Sequence, residues 1–138
     1  MITENDVIER VSAYLAQRNW RVESTASTFE HGPDVIARSD VGKEIWIEAK
    51  GQTSSKEGSR RYGKEFSRSQ KEDHLGRALL KCCQYISERS DLIVAVALPN
   101  DDVNSDLITR IGAVLQKLKI VSFLVGGDGS VEASGNLS

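Results

Sequence analysis

The stretch Ile45-Trp46-Ile47-Glu48-Ala49-Lys50 constrains the fold of this chain more than any other segment. Three apolar residues lead directly into two charges of opposite sign. Residues in a β-strand alternate between the two faces, so Glu48 and Lys50 point the same way. A buried strand rarely carries two charges on one face, because removing a charge from water is costly. The pattern predicts an interior strand whose end has a chemical role.

A second apolar run lies just upstream, and the residues between the two runs predict a tight turn. Asp34 directly precedes Val35-Ile36-Ala37, and Asp40-Val41-Gly42-Lys43 separates that run from the first. Short connections with a glycine at the turn are typical of β-hairpins. We therefore expect a hairpin of residues 33–40 and 44–50.

This hairpin would bring the carboxylate of Asp34 close to that of Glu48, with the Lys50 ammonium nearby. Mg²⁺ prefers oxygen ligands and is usually held by one or two carboxylates. The three residues therefore predict a divalent-metal site with a catalytic lysine. The alternative is a surface salt bridge between Glu48 and Lys50, across from Asp34, which would contribute little to stability.

Apolar periodicity along the rest of the chain predicts three amphipathic helices and three further strands. The helices are expected to begin at Thr3, at Ser67 or Ser69, and at Asp101. The second has an apolar stripe that includes Cys82 and Tyr85, and the third extends to Lys119 with a stripe that includes Val114 and Leu118. The strands are expected at 20–24, 92–98 and 120–125, with a short tail after the glycine-rich turn 126–129. The order α-β-β-β-α-β-α-β over one domain, residues 1–138, predicts an α/β fold. Its mixed sheet would be flanked by helices on both faces.

The net charge of −2 is unevenly distributed along the 138 residues. Residues 50–81 hold nine Lys and Arg against four acids, so this segment is +5 and the remainder is −7. A basic stretch on an acidic body is typical of a local contact with a polyanion. The alternative is a solvated charged loop. The candidate phosphate contacts are Lys56, Arg60, Arg61, Lys64, Arg68 and Lys71.

Other sequence features exclude several classes of protein. No apolar stretch is long enough to span a membrane, and the N-terminus lacks the form of a signal peptide, so we expect a cytoplasmic location. The two cysteines, Cys82 and Cys83, are neighbours. Adjacent cysteines seldom form a disulfide, which predicts reduced thiols packed on a helix.

Pro33-Asp34, the hairpin turn, and Glu48-Ala49-Lys50 at the end of an apolar strand together resemble the PD-(D/E)XK nuclease superfamily, which has the restriction-endonuclease-like fold. The predicted α-β-β-β-α-β order is also that family's core, and the resemblance covers roughly residues 3–98. It implies a metal-dependent DNA endonuclease of the restriction, repair, junction-resolving or defence type. The cofactor would be Mg²⁺, for which Mn²⁺ can substitute, and double-strand cleavage would favour a homodimer.

The resemblance implies a role for each matching position. Asp34 and Glu48 would be metal ligands, and the Ala49 carbonyl would complete the oxygen shell of the metal. Lys50 would orient or deprotonate the attacking water and stabilise charge on the phosphate. Gln52 continues the same strand face, where some branches of the family place a functional glutamine.

A further acid often comes from the first helix in this family. Glu4 lies within the apolar stripe, one turn before Val7 and Ile8, so it faces the sheet, whereas Glu9 faces solvent. Glu4 is therefore the candidate additional metal ligand. The alternative is a carboxylate that is simply favoured by the helix dipole at that end.

Two other interpretations of the whole chain stay open. The first is a catalytically silent nuclease-fold module that binds DNA or assembles with partner proteins. The second is a domain whose charges are incidental. The intact set of Asp34, Glu48 and Lys50 argues against a silent module, because a retired site loses its costly charges first.

Overall fold

The computed structural model describes residues 1–25, 32–54 and 63–138, which form four helices and six strands. In chain order the elements are α1 (Glu4–Ala16), β1 (Trp20–Thr25), β2 (Val35–Ser39), β3 (Glu44–Ala49), α2 (Arg68–Glu88), β4 (Ile93–Pro99), α3 (Asp102–Arg110), α4 (Gly112–Leu118), β5 (Ile120–Val125) and β6 (Val131–Ser134). The strands form one sheet in sequence order. β3, β4 and β5 are mutually parallel, and the outer pairs are antiparallel.

The predicted hairpin is confirmed as β2 and β3. Val35 pairs with Ile47 and Ile36 with Trp46. Gly42 lies in the turn with φ of 85°, a conformation that glycine adopts without steric cost. The parallel pairing of β3 with β4 then needs a long crossover, which contains α2.

Alternation along the strands divides the apolar side chains between two cores, one on each face of the sheet. On one face, Val7 and Leu15 of α1 pack against Ile47 of β3. On the other face, Leu75 and Cys82 of α2 belong to a cluster that also includes residues of α3 and α4. β4 is buried on both faces, as its continuously apolar sequence predicts.

Capping boxes begin the first two helices. The Thr3 hydroxyl accepts a hydrogen bond from the Asp6 N–H, and the Thr3 N–H donates to the Asp6 carboxylate. Ser67 and Gln70 form the same reciprocal pair at the start of α2. Ser67, rather than Ser69, is therefore the N-cap.

The segment predicted as a third helix, residues 101–119, differs in the structure because it forms two helices. Ile111 separates them with φ of −106° and ψ of 11°, and Gly112, a poor helix former, follows. The break lets both Ile108 and Leu115 reach the core. It leaves Val114 and Leu118 of the predicted apolar stripe 54% and 44% exposed.

The predicted C-terminal tail contains an additional strand. β6 pairs antiparallel with β5 and extends the sheet at its edge. Its four residues, Val-Glu-Ala-Ser, alternate in polarity only briefly, and most of them are exposed, so the sequence signal for a strand is weak. Pairing with β5 decides its structure.

Candidate active site

Asp34 and Glu48 face each other across the β2–β3 hairpin. The pairing of Val35 with Ile47 places them at the next opposed positions. The Asp34 N–H donates to the Ile47 carbonyl at 2.9 Å and lies 3.3 Å from Glu48 Oε2. Asp34 Oδ2 accepts from the Ala49 N–H at 2.8 Å. The structure therefore brings together the two acids predicted from the sequence.

The Glu48 carboxylate lies inside the protein, with its side chain only 2% exposed. Burial, followed by repulsion from Asp34, raises its pKa, and Lys81 opposes the rise. Glu48 Oε1 accepts from Lys81 Nζ at 3.1 Å and from the Tyr85 hydroxyl at 3.3 Å. The carboxylate pair, of which Glu48 is buried and Asp34 partly buried, therefore has one direct cationic partner among the described residues.

Lys81 and Tyr85 project from α2, and neither belongs to the site residues predicted from sequence. The sequence places Tyr85 in the apolar stripe of this helix and Lys81 in the basic segment 50–81. Their spacing held a usable signal, since Lys81 lies three residues after buried Ala78 and four before Tyr85. A lysine at the edge of a buried stripe can pack its stem there while its ammonium reaches a polar partner.

Lys50 directly follows β3 and is half-buried. Its N–H donates to the Ala97 carbonyl at 3.0 Å, which fixes the backbone beside β4. Among residues 1–25, 32–54 and 63–138 it forms no ion pair within 4.0 Å. The Glu48–Lys50 salt bridge considered above is therefore absent there, and Lys81 is the cation on Glu48.

Glu4 approaches the same site from the start of α1. The backbone of residues 2–4 lies against the chain just after β3, where the Gln52 N–H donates to the Ile2 carbonyl at 2.9 Å. Gly51 permits this approach, because a Cβ there would lie 2.4 Å from the Glu4 backbone nitrogen. The absence of a side chain at Gly51 therefore helps to bring the first helix to the strand end.

The electrostatic environment of Glu4 links it to the predicted metal ligands. Burial and then the negative charge of Asp34 raise its pKa to about 7; Lys50 opposes this, and Glu48 adds to it. Glu9 lies on the exposed side of the same helix, as predicted. Burial and the neighbouring acids of the site therefore make the Glu4 carboxyl group difficult to ionise.

We expect Glu4→Gln to stabilise the protein at pH 8 by about 1 kcal/mol and to change its stability little at pH 4.5. The pKa of Glu4 is raised to about 7 in the folded state from an ordinary value of 4.5. Stability is therefore lost as pH rises through this window, since the unfolded chain ionises more readily. Glutamine removes that loss.

Urea unfolding at the two pH values measures this effect. Glu9→Gln is the matched control, since it removes the same charge from the exposed side of α1. Equal effects of the two substitutions at pH 8 would contradict the electrostatic environment assigned to Glu4.

Gln52, predicted to be catalytic, has both ends of its amide engaged away from the carboxylate pair. Its Oε1 accepts from the Ile2 N–H at 3.0 Å, and its Nε2 donates to Asp101 at 3.0 Å. These bonds connect the strand end to the N-terminal residues and to the start of α3. These contacts indicate that Gln52 positions the N-terminal residues and the start of α3 relative to the strand end. A catalytic role for Gln52 stays a prediction.

The structure describes three of the six basic residues predicted to contact DNA; Lys56, Arg60 and Arg61 lie outside the described residues. Lys71 differs from that prediction because its side chain is 2% exposed. Its ammonium donates to Glu65 at 2.7 Å and to Asp101 at 3.0 Å. We therefore exclude Lys71 from the proposed DNA-binding surface.

Lys64 and Arg68 are both exposed near the start of α2. Arg68 pairs with Glu72 at 3.3 Å and with Asp106 at 2.7 Å. Surface ion pairs of this kind exchange readily with other partners, because each contributes little to stability. A phosphate could therefore take the place of either carboxylate.

The donors at the site fit a magnesium ion that substrate and water would complete. Asp34 and Glu48 supply two carboxylates, which is the usual protein contribution to Mg²⁺ sites. Among the described residues, no group of three or more His, Cys, Asp or Glu side chains is gathered as a metal ligand set. Glu4 is therefore near the pair but is not gathered with it as a third ligand. The described residues therefore do not supply enough side-chain ligands to complete the metal coordination with protein atoms alone.

In the described ranges, no helix combines the length and the apolar content needed to span a membrane.

Cys82 and Cys83 are both free, as predicted. Cys82 is buried, and its thiol lies 3.5 Å from the Ala95 carbonyl. Burial raises the pKa of Cys82 to about 12, so this thiol is a packing group.

Comparison with known proteins supports the fold. No protein-family model matches the sequence, and no curated protein matches it. Among solved structures, the chain is similar to a crystal structure of an XisH family protein from Nostoc punctiforme, with a TM-score of 0.59 and 12% identity over 94% of this chain and 98% of that one. At this identity the likeness concerns the fold alone. The predicted mixed α/β architecture is confirmed, and it is consistent with a restriction-endonuclease-like fold.

Proposed function

We propose that this protein is a metal-dependent endonuclease that hydrolyses DNA phosphodiester bonds. The observation that supports this most is the pair of carboxylates, Asp34 and Glu48, at the end of the hairpin opposite its turn. A buried acid in contact with a second carboxylate destabilises a fold unless a cation compensates their charges. Such arrangements are concentrated at functional sites. Lys50 lies two residues after Glu48, directly beyond the end of β3.

Asp34 and Glu48 would hold the metal, with the Ala49 carbonyl as a third protein oxygen. Bound Mg²⁺ lowers the pKa of a water molecule and neutralises charge on the scissile phosphate. The Ala49 N–H holds the Asp34 carboxylate in place at 2.8 Å. Lys50 adds a positive charge at the strand end, where charge would develop on the phosphate.

Exposed basic residues around α2 provide a surface for the phosphate backbone. Lys64 and Arg68 lie at its N-terminal end, and Arg77 and Lys81 lie further along it. Because cations that contact phosphates release counterions, DNA binding through this surface would weaken steeply with salt. Lys56, Arg60 and Arg61 are proposed to join it on the strength of their sequence position.

The test is cleavage of plasmid, linear, single-stranded and branched DNA with Mg²⁺ or Mn²⁺. We expect cleavage that EDTA abolishes and that Asp34→Asn lacks. Asparagine keeps an oxygen that can accept from the Ala49 N–H, so this variant removes the charge with little change in shape. Cleavage by Asp34→Asn at the wild-type rate would rule out the proposed site.

A second candidate is a catalytically silent nuclease-fold module that binds DNA or assembles with partner proteins. The contact between Lys81 and Glu48 favours it, because the protein itself already supplies a cation that compensates the negative charge of the carboxylate pair. This candidate predicts salt-dependent DNA binding without cleavage at any metal concentration. Sedimentation of the protein with and without DNA tests the predicted homodimer in the same samples.

A further inference from the structure

We propose that Lys81 is a built-in counter-ion of the Asp34–Glu48 pair and that a divalent cation displaces it from Glu48. This inference rests on the proposed metal-dependent function. It assigns a role to a residue of α2 that lies outside the Asp34, Glu48 and Lys50 motif. Lys81 would set the concentration of metal that the site needs.

The contact itself carries the first step of the argument. Lys81 Nζ lies 3.1 Å from Glu48 Oε1, within hydrogen-bond distance. The same carboxylate opposes Asp34 across the hairpin, and Glu4 adds a third acid to the neighbourhood. Without a cation, negative charges this close repel one another in an environment that screens poorly. Lys81 supplies that cation within the fold.

The two partners differ greatly in exposure, which carries the second step. The Glu48 side chain is 2% exposed, whereas the Lys81 side chain is 49% exposed. The ammonium can therefore move into water by rotation of its side chain, whereas the buried carboxylate cannot reach solvent. The mobile partner of this ion pair is the lysine.

Tyr85 explains how Glu48 could keep its orientation when the lysine moves. Its hydroxyl donates to the same oxygen, Oε1, at 3.3 Å. A neutral donor does not compete with a metal for charge, so this hydrogen bond can remain in both states. Lys81 and the metal would therefore exchange around a carboxylate that stays fixed.

Competition for one carboxylate has a measurable consequence. A dication that binds beside Glu48 must displace the Lys81 ammonium and then experiences its repulsion. Removing only this positive charge should strengthen metal binding. Lys81→Met does so while keeping a flexible stem of similar length, and Lys81→Arg keeps the charge.

Calorimetric titration with Mn²⁺ at pH 8, without DNA, tests the proposal. We expect Lys81→Met to bind Mn²⁺ about tenfold more tightly than the wild type, and Lys81→Arg to stay within about threefold of it. The matched control is Lys117→Met, which removes an exposed lysine from α4 and should leave the affinity unchanged. Thermal melts check that each variant is folded.

Lysine acetylation followed by mass spectrometry tests the displacement directly. Adding Mn²⁺ to the wild type should increase the reactivity of Lys81 severalfold and leave that of Lys117 unchanged. Equal or weaker Mn²⁺ binding by Lys81→Met, or unchanged Lys81 reactivity, would overturn the counter-ion role while leaving the nuclease proposal standing. Absence of Mn²⁺ binding in every variant would overturn both, which separates the two failures.

Discussion

Replacing Lys50 with alanine should lower the rate of DNA cleavage by about 10²- to 10³-fold while leaving the protein folded. Lys50 directly follows β3, two residues after Glu48, and its loss removes a positive charge that would stabilise the developing phosphate charge. The fold should tolerate the change, because the hydrogen bond to the Ala97 carbonyl comes from the backbone. Single-turnover cleavage and a thermal melt measure the two effects.

Lys43→Ala provides the matched control for this prediction. Lys43 is an exposed lysine in the turn of the same hairpin, so its removal changes the net charge equally. DNA affinity, measured at several salt concentrations, separates lost binding from lost chemistry. If Lys50→Ala cleaved DNA as fast as Lys43→Ala, the catalytic role of Lys50 would have to be abandoned.

Replacing Asp101 with alanine should destabilise the protein by about 3–5 kcal/mol. Asp101 Oδ2 accepts from buried Lys71 and from the amides of Gln52 and Asn104, and its Oδ1 caps α3 through the Asn104 N–H. Burial alone would lower the pKa of Lys71, but its hydrogen bonds to Glu65 and Asp101 raise it, so the buried ammonium stays charged. Without Asp101, the one ion-pair partner left to this ammonium within the described part of the chain is Glu65, which is exposed.

Urea unfolding at pH 7 measures this loss against two reference variants. Lys71→Met should be close to neutral, because it removes the buried charge while Asp101 keeps its donors from Gln52 and Asn104. Asp106→Ala should also lie close to the wild type, since its partners are on the surface. Similar stability of the Asp101 and Asp106 variants would show that the hydrogen bonds of Asp101 do not stabilise the N-terminal ends of α2 and α3.

Much of the fold was predictable because its signals are local. The apolar run Ile45-Trp46-Ile47, the turn at Gly42 and the cap at Ser67 each determine structure over a few residues. The break at Ile111 was not predictable in this way, because the apolar spacing continues through it. Only packing of Ile108 and Leu115 on the sheet reveals that two helices satisfy the pattern better than one.

The candidate site likewise has a part that local sequence predicts and a part that tertiary packing decides. The hairpin motif was enough to predict that Asp34 would meet Glu48, because register alone brings opposed residues together. The roles of lysines required the tertiary structure. Lys71 and Lys81 lie in one basic segment, yet one is buried between two carboxylates and the other contacts Glu48.

By itself, the amino-acid sequence determined the carboxylate pair, the lysine that follows it and the order of the elements around them, since each depends on neighbouring residues. The tertiary structure decided which cation pairs with Glu48, how Glu4 reaches the strand end past Gly51, and why Gln52 faces Ile2 and Asp101. These contacts join residues up to 50 positions apart. A charge in sequence has no partner until packing brings one within a few ångströms, and electrostatic energy depends on that distance.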